Sequence, residues 1–114
     1  MVNKWEVYFC NLNPVQGSEQ RGKRPVLVVS NNMVNHILPI STVLPLSSVK
    51  KGDKIYPTEV FLPKALSGLP KDSVAMCHQI RTLSHERLGK PVARLDDAKT
   101  REAIGEALRQ YLGL

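Results

Sequence analysis

The residues best suited to chemistry stand together in one loop, residues 17–25, which reads GSEQRGKRP. It holds three basic side chains, one carboxylate and two other polar side chains between two predicted strands, where a rigid scaffold can present them to a ligand. Arg24 stands at a predicted strand start, and its planar guanidinium suits a phosphate group. Taken alone, these residues also fit a solvated hairpin loop with local ion pairs.

The charge balance points to the same part of the chain. Sixteen Lys and Arg against ten Asp and Glu give a net charge of +6. The positive excess belongs to residues 1–94, because residues 95–114 carry slightly more acidic than basic side chains. A compact domain with such an excess attracts polyanions, of which nucleic acid is the commonest. A surplus of charge that only keeps the protein in solution is the alternative.

Length and composition exclude several classes of protein. A chain of 114 residues with 42% hydrophobic and 23% charged residues is expected to form one domain, residues 1–114, around one core. Its apolar runs, such as residues 26–29, are far shorter than the ~20 residues of a membrane span. The N-terminus lacks the features of an export signal, so we expect a cytoplasmic protein without membrane association.

The cysteines and histidines do not form a recognisable site. Cys10 and Cys77 are too few for a disulfide scaffold, and we expect two buried thiols in a reducing compartment. The three histidines share no metal-ligand spacing with either cysteine. The sequence therefore predicts no metal site and no cofactor.

The elements that must position the loop are mostly strands. Short β-rich runs bounded by turn signals predict strands at residues 7–10, 25–29, 37–46, 58–62, 73–83 and 91–93. Residues 47–57 read as a basic loop. The end of the chain changes to helical spacing, with Asp96 or Asp97 suited to the N-cap and Gly113 to the C-terminal end. Five or six strands and one amphipathic helix predict a mainly β fold, a small barrel with a C-terminal helix docked on it.

Three stretches of the sequence resemble the MazF/PemK toxin family. Residues 13–32, NPVQGSEQRGKRPVLVVSNN, resemble the family's loop signature. Residues 44–48, LPLSS, are similar to a family strand that ends Pro-x-Thr/Ser, and residues 79–84, QIRTLS, followed by Arg87 and Leu88, resemble a further block. The three stand in the family's order over about residues 7–88, and the predicted helix lies where the family has its last helix.

The resemblance implies both a fold and an activity. It implies an SH3-like barrel of the CcdB/PemK type that forms a homodimer and cleaves single-stranded RNA, including mRNA, at short sequence motifs. It also implies a metal-independent reaction in which the RNA 2′-hydroxyl attacks the neighbouring phosphate, leaving 2′,3′-cyclic phosphate and 5′-hydroxyl ends. A cognate antitoxin is implied, whose extended C-terminal segment blocks the RNA groove.

Three residues match the family's catalytic positions. Internal transesterification needs a proton acceptor, a proton donor and positive charge at the phosphoryl oxygens. By resemblance, Arg24 supplies the charge and Ser47 donates a hydrogen bond to the phosphate. Glu19 matches the loop glutamate and either orients Arg24, the role we favour, or acts as base. The residues expected to bind RNA are Gly17, Ser18, Gln20, Lys23, Ser48, Lys50, Lys51, His78 and Gln79.

Two positions depart from the family's pattern. His78 stands where many relatives carry an acidic residue, and it either shares in proton transfer, contacts a base or is a half-exposed strand residue. Trp5-Glu6 replaces the family's Gly-Asp. Trp5 either stacks on a nucleobase or, as we favour, packs against the barrel or a partner subunit.

Two other functions remain open at this stage. A CcdB-like toxin uses the same fold to bind a topoisomerase and cleaves nothing, but it acts through a Trp-Gly-Ile-like C-terminus, whereas this chain ends Tyr-Leu-Gly-Leu. The second possible function is that of a family member that binds RNA or a partner protein without cleaving RNA. For the dimer, the apolar residues 26–29 and 37–46 are the candidate interface.

Overall fold

The computed structural model describes all 114 residues and contains seven strands and three α-helices. The strands are β1 Glu6–Asn11, β2 Lys23–Val28, β3 Ile40–Ser48, β4 Glu59–Leu62, β5 Ser73–Met76, β6 Arg81–Ser84 and β7 Pro91–Arg94. The helices are α1 Asn32–Asn35, α2 Lys64–Ser67 and α3 Ala98–Leu112, and two short 3₁₀ turns span Cys77–Gln79 and His85–Arg87. None of the helices combines the length and apolarity that crossing a membrane requires.

All neighbouring strands are antiparallel, in the order β4-β5-β3-β2-β1-β7. The nine-residue β3 is shared: β2 pairs with its middle, β6 with its first half and β5 with its last three residues. This arrangement curls the sheet into a half-barrel. The predicted mainly β fold with a C-terminal helix is confirmed.

The sheet buries side chains on both faces. Because side chains alternate along a strand, Leu27 points to one face while Val26 and Val28 point to the other, and all three are buried. The continuous apolar run at this strand predicted that pattern. One face forms a helix-side cluster, which includes Ile104 of α3. The other forms a loop-side cluster, which includes Leu12 of the loop that follows β1.

The predicted strand over residues 37–46 differs from β3 at both ends. β3 begins at Ile40 and continues through Ser48, so Ser47 and Ser48 belong to a strand and not to the basic loop. Pro45 lies inside β3. The Val29 N–H donates to the Thr42 carbonyl (2.9 Å), so alternation turns the nitrogen of Pro45 away from β2, toward the gap between β5 and β6. A missing N–H interrupts no ladder there.

The single strand predicted over residues 73–83 is wrong. β5 ends at Met76, the chain makes a 3₁₀ turn over Cys77–Gln79, and β6 begins at Arg81. The two strands pair with different halves of β3, which requires a change of direction between them. After β2, the short helix α1 begins at Asn32, with the Asn31 side chain accepting from the Met33 N–H at 2.8 Å.

Both cysteines are buried and unpaired, as predicted. Burial raises the pKa of the Cys77 thiol to about 11. Burial also raises the pKa of Cys10, although Arg87 and Arg81 oppose the shift. Since the thiolate is the reactive form, neither cysteine is a nucleophile at neutral pH.

Helix α3 begins at a charged cap. Asp97 is the N-cap, and its Oδ2 accepts from the Thr100 hydroxyl (2.6 Å) and the Thr100 backbone N–H (3.0 Å). These bonds hold the pKa of Asp97 below its usual range. Gly113, with φ 72°, ends the helix in the left-handed conformation that glycine adopts without strain. Both ends of the helix therefore match the sequence prediction.

We expect Asp97→Ala to lower the melting temperature at pH 7, with the loss shrinking in acid. A carboxyl with a lowered native pKa stabilises the fold above its unfolded pKa of about 3.9, and this stabilisation disappears as the pH falls through the native value. Thermal unfolding between pH 3 and 7 measures it. The matched control is Asp96→Ala, which removes only exposed ion pairs to Arg94 and Arg101. Equal losses in the two variants, or a loss independent of pH, would contradict this role.

Candidate active site

The strand register brings Arg24 and Ser47 to the same face of the sheet. The last pair of the β2–β3 ladder is Val26 with Pro45, and each candidate lies two residues beyond it. Alternation therefore points both side chains to the loop-side face. Beyond this pair β3 continues beside β5, without further β2–β3 pairing. Two residues predicted to be catalytic thus lie on one face of the sheet, just past the end of the β2–β3 ladder.

Arg24 is held by the loop that precedes β2. Its Nε donates to the Arg21 carbonyl at 2.9 Å, and the residue is partly buried. This bond leaves both Nη groups as donors for a ligand. A guanidinium fixed at one nitrogen presents a preorganised fork, which is the geometry that binds a phosphate through two hydrogen bonds.

Glu19 makes a different contact from the one expected. Its Oε1 accepts from the Gln16 N–H at 2.5 Å, and its own N–H donates to the Gln16 carbonyl at 3.1 Å. None of the three ion pairs in the structure involves Glu19 or Arg24. Glu19 and Arg24 therefore form no ion pair in this structure, and the orienting role of Glu19 stays a prediction. Glu19 also forms no ion pair with another residue of the loop, which was the alternative interpretation.

The loop over residues 12–22 closes on itself. The Leu12 N–H donates to the Gly22 carbonyl at 2.9 Å, which ties its two ends together. The Arg21 Nη2 donates to the Gly17 carbonyl at 2.6 Å. Gly17 and Gly22 have φ angles of +54° and +81°, a backbone region that other residues adopt only with strain. Two turns that need glycine thus give the loop its shape.

Gln79 attaches this loop to the other side of the site. Its Oε1 accepts from the Gln20 N–H (3.2 Å), and its Nε2 donates to the Ser18 carbonyl (3.0 Å). The sequence predicted that Gln79 binds RNA directly. The structure instead gives its amide a positioning role, since both ends of the amide bond loop backbone, and an RNA contact stays a prediction.

Two arginines extend the same attachment. Arg81 donates through Nη1 to the Leu12 carbonyl at 3.1 Å. Arg87 donates through Nη2 to the carbonyls of Asn11 and Asn13. Sequence reasoning used both arginines only as marks of resemblance. Together with Gln79, they form what we call the clamp.

Between the clamp and the loop lies a polar groove of about 420 Å³. Its lining includes Pro45, from the same face of β3 as Ser47. Most of its remaining lining residues are polar and come from the loop and from the segment after β5. The lining residues are Glu19, Gln20, Pro45, His78, Gln79, Ile80, Arg81 and Thr82.

A second cavity, of about 190 Å³, is lined by Arg24 and by an aromatic side chain that sequence reasoning missed. Phe9 is 52% exposed, although its neighbours in β1 are buried. Lys23, Ser48 and Lys71 share this cavity with Phe9 and Arg24. Strand alternation is the signal that could have found it, because Phe9 points away from the face that Tyr8 and Cys10 bury.

Other predicted residues lie elsewhere. Lys50 and Lys51 line a separate cavity of about 360 Å³ together with Asp53 and Asp72. The structure therefore does not bring these lysines to either cavity beside Arg24. The structure also gathers no group of three or more His, Cys, Asp or Glu side chains that could hold a metal ion.

Two cationic side chains of the same chain lie over the ring of Trp5. Lys4 Nζ lies 5.0 Å and the Arg101 guanidinium carbon 5.3 Å from the ring centroid, within the range of cation–π contacts. Trp5 also packs against the helix-side cluster. Packing against the barrel, one of the two interpretations of this residue, is the one that the structure shows.

Comparisons with known proteins agree with this architecture. Residues 3–112 match the family model described as "PemK-like, MazF-like toxin of type II toxin-antitoxin system". The chain is 38% identical to Endoribonuclease EndoA of Bacillus subtilis (strain 168), with 100% of this chain and 97% of the relative covered. The solved structure of MazF from Deinococcus radiodurans has a TM-score of 0.82 at 28% identity, covering 99% of this chain and 97% of that one.

A further solved relative is a mycobacterial endoribonuclease in complex with its cognate antitoxin. It has a TM-score of 0.80 at 25% identity and covers 100% of this chain and 97% of its own. The chain therefore belongs to the PemK/MazF family of toxins of type II toxin–antitoxin systems. The resemblance inferred from the three sequence stretches is confirmed.

We expect Gln79→Ala to loosen the loop without unfolding the barrel. Loss of two hydrogen bonds at about 1 kcal/mol each makes local opening roughly 5- to 30-fold more frequent. Hydrogen exchange at the Gln20 N–H and trypsin cleavage after Arg21 measure this opening. Gln16→Ala, a change of an exposed loop side chain, is the control. Exchange as slow in Gln79→Ala as in that control would show that Gln79 does not hold the loop.

Proposed function

We propose that this protein is a sequence-selective, metal-independent endoribonuclease that cleaves single-stranded RNA. As a member of its family it is an endoribonuclease toxin. Its substrates would be mRNAs in the cytoplasm, and their cleavage would stop translation and growth. The placement of Arg24 and Ser47 on one face of the sheet, just past the end of the β2–β3 ladder, carries this proposal.

In the proposed reaction, the RNA supplies its own nucleophile. The 2′-oxygen bonds to the adjacent phosphorus as the bond from phosphorus to the 5′-oxygen breaks, which leaves a 2′,3′-cyclic phosphate and a 5′-hydroxyl. The free Nη donors of Arg24 and the Ser47 hydroxyl bind the phosphoryl oxygens, whose negative charge grows in the transition state. These donors act best when the fold holds them in place beforehand, and the Arg21 carbonyl does this for Arg24.

We propose that Glu19 is the general base that accepts the proton of the 2′-hydroxyl. Its carboxylate lines the polar groove and makes no ion pair with Arg24, which favours the role of base over the orienting role. The bond from the Gln16 N–H uses Oε1 and leaves Oε2 to accept the proton. Solvent protonates the departing 5′-oxygen.

The RNA would cross Arg24 between the two cavities. Phe9 offers an exposed ring with Lys23 and Lys71 beside it, a combination that binds single strands by stacking and charge. The polar groove on the other side would take bases next to the cleaved bond. Lys50 and Lys51 would act at longer range, by steering the polyanion toward the site.

We propose that two copies associate through an apolar patch beside α1. Val26 and Val28 cannot contribute, since both are 0% exposed within one copy. Residues 37–46 contribute only their first part, which joins exposed side chains of α1. The patch consists of Met33, Val34, Ile37, Leu38 and Ile40.

A cognate antitoxin is the second proposed partner. The mycobacterial relative was solved with its own antitoxin, and this chain matches that fold over its full length. The positive charge of this protein favours an acidic segment of the antitoxin. We place that segment in the RNA groove, where it would exclude the substrate.

We expect Arg24→Ala to slow RNA cleavage about 10²- to 10³-fold, the usual cost of removing one donor to a developing oxyanion. Ser47→Ala should also lose activity and Ser47→Thr retain it, because threonine keeps the hydroxyl. A long unstructured RNA is incubated in EDTA and the 5′ ends of its fragments are mapped. Ser48→Ala gives a comparison within the same strand: Ser48 points to the other face of β3 and lines the Phe9 cavity, so its loss should be smaller than that of Ser47→Ala. Intact RNA from a protein that still arrests growth would instead indicate a protein target.

We expect Ile37→Asp to yield a monomer. A charge in the centre of an apolar interface is costly to bury, whereas the free chain already exposes this side chain. Analytical ultracentrifugation over a range of concentrations measures the mass. Ile55→Asp is the matched control, because Ile55 is exposed outside the patch. A dimer that both variants preserve would place the interface elsewhere.

A further inference from the structure

A network of buried polar side chains joins helix α1 to β3, outside the candidate active site. Asn35 and Ser41 are only 2% and 1% exposed. The Ser41 Oγ lies 2.7 Å from Asn35 Oδ1 and 2.7 Å from Nε2 of His85, and the Ser30 hydroxyl also donates to Asn35 Oδ1. Burial of polar groups is costly unless each one is paired, so a fully paired network fixes the elements that it joins.

The hydrogen atoms of this network can be placed by elimination. The Nδ2 group of Asn35 donates to the Ser30 carbonyl at 2.8 Å, so Oδ1 is the atom that faces the two hydroxyls. Each hydroxyl has one hydrogen, and that of Ser41 goes to Asn35. The Ser41 oxygen can therefore only accept from His85, which requires a hydrogen on Nε2 of the imidazole. The neutral Nε2–H tautomer and the protonated ring both meet this requirement.

His85 begins the 3₁₀ turn that carries Arg87 of the clamp. Its backbone N–H donates to the Pro39 carbonyl at 2.9 Å, and its side chain is bonded to Ser41. The start of the turn is thus held at two points beside β3. At the end of the turn, Arg87 Nη2 donates to the Asn13 carbonyl at 3.1 Å. A displacement of His85 would therefore be passed to this contact with the loop.

Asn13 connects the clamp to the start of β2. Its Oδ1 accepts from the Gly22 N–H at 3.3 Å, and the Gly22 carbonyl accepts from the Leu12 N–H at 2.9 Å. Arg24 stands two residues after Gly22, and its guanidinium is held by the Arg21 carbonyl. The position of this guanidinium therefore depends on how firmly the clamp holds the loop.

We propose that His85 is a positioning residue for RNA cleavage: the hydrogen on its Nε2 fixes the turn that carries Arg87, and Arg87 holds the loop before β2. His85 is not a catalytic residue, because it is bonded to the buried Ser41 and lines neither cavity beside Arg24. The inference rests on the proposed function, because it assigns His85 a role in the same reaction.

Two substitutions separate the hydrogen bond of His85 from its bulk. Glutamine carries an N–H that can donate to Ser41, whereas leucine fills space and donates nothing. We expect His85→Leu to lower kcat for RNA cleavage roughly 5- to 30-fold, the effect of leaving one buried polar atom without its partner. KM should change less, because Arg24 acts on charge that grows in the transition state. His85→Gln should retain activity.

The matched control is Glu86→Leu, which places the same new side chain in the middle of the same turn. Glu86 is exposed, and its carboxylate takes part in none of the three ion pairs. We expect this variant to cleave RNA like the unchanged protein. A His85→Gln protein as slow as His85→Leu would overturn the proposal, because the donor would then not be what matters.

A double variant separates positioning through Arg87 from a general loss of stability. If His85 acts through Arg87, then His85→Leu lowers kcat no further once Arg87 has been replaced by alanine. Effects of the two substitutions that multiply in the double variant would overturn the proposal, since they would show that His85 acts by another route.

Two measurements without RNA separate this inference from the proposed function. Nitrogen NMR of the unchanged protein shows which nitrogen of the neutral His85 ring carries the hydrogen, and we expect Nε2; a hydrogen on Nδ1 alone overturns the inference. Hydrogen exchange at the Leu12 N–H, which closes the loop, should be roughly 5-fold faster in His85→Leu than in Glu86→Leu. If the unchanged protein cleaves no RNA, the proposed function fails, and equal exchange in these two variants still shows that His85 does not hold the loop.

Discussion

The site depends on one constraint, the sharing of β3 among three strands. A strand has only two edges, so β5 and β6 must divide one edge between them while β2 holds the other. On that other edge, the β2–β3 ladder stops at Val26 and Pro45, close to the point where β5 takes over from β6 on the shared edge. Arg24 and Ser47 owe their common face to the register of this ladder.

The segment between β5 and β6 also helps to position the loop. The 3₁₀ turn that fills it delivers Gln79 to the loop, and β6 then delivers Arg81. The break between β5 and β6 thus supplies the side chains whose hydrogen bonds hold the loop in place. The division of β3 between these two strands therefore affects both the sheet and the geometry of the site.

Much of this could be predicted from the sequence. The apolar run at β2, the cap at Asp97 and the glycine after α3 determine local structure through short-range physics, and each prediction was correct. The break within residues 73–83 could not be predicted in this way, because its apolar pattern suits a continuous strand. The interruption arises only from the competition of two strands for one edge of β3.

In the candidate site, too, the sequence predicted some features, while others depend on how distant strands pair. Resemblance selected Arg24 and Ser47 by type and order, but their common face requires a register that no local pattern contains. Glu19 was assigned by its match to the family's loop glutamate, whereas its bond to the Gln16 N–H depends on a turn within the loop that no local pattern predicted. Phe9 escaped notice because an aromatic residue in a strand usually packs in the core, and only the burial of its neighbours reveals the exposed ring.

The clamp has a consequence for how this protein can change over evolutionary time. Gln79, Arg81 and Arg87 bond backbone atoms of residues 11–20 and no side chain of that segment. Peptide groups are nearly the same whatever residue carries them, so substitutions in the segment leave these bonds available. Descendants of this chain can therefore explore new side chains along the loop while its path stays the same, and divergence there need not sacrifice the frame that holds Arg24.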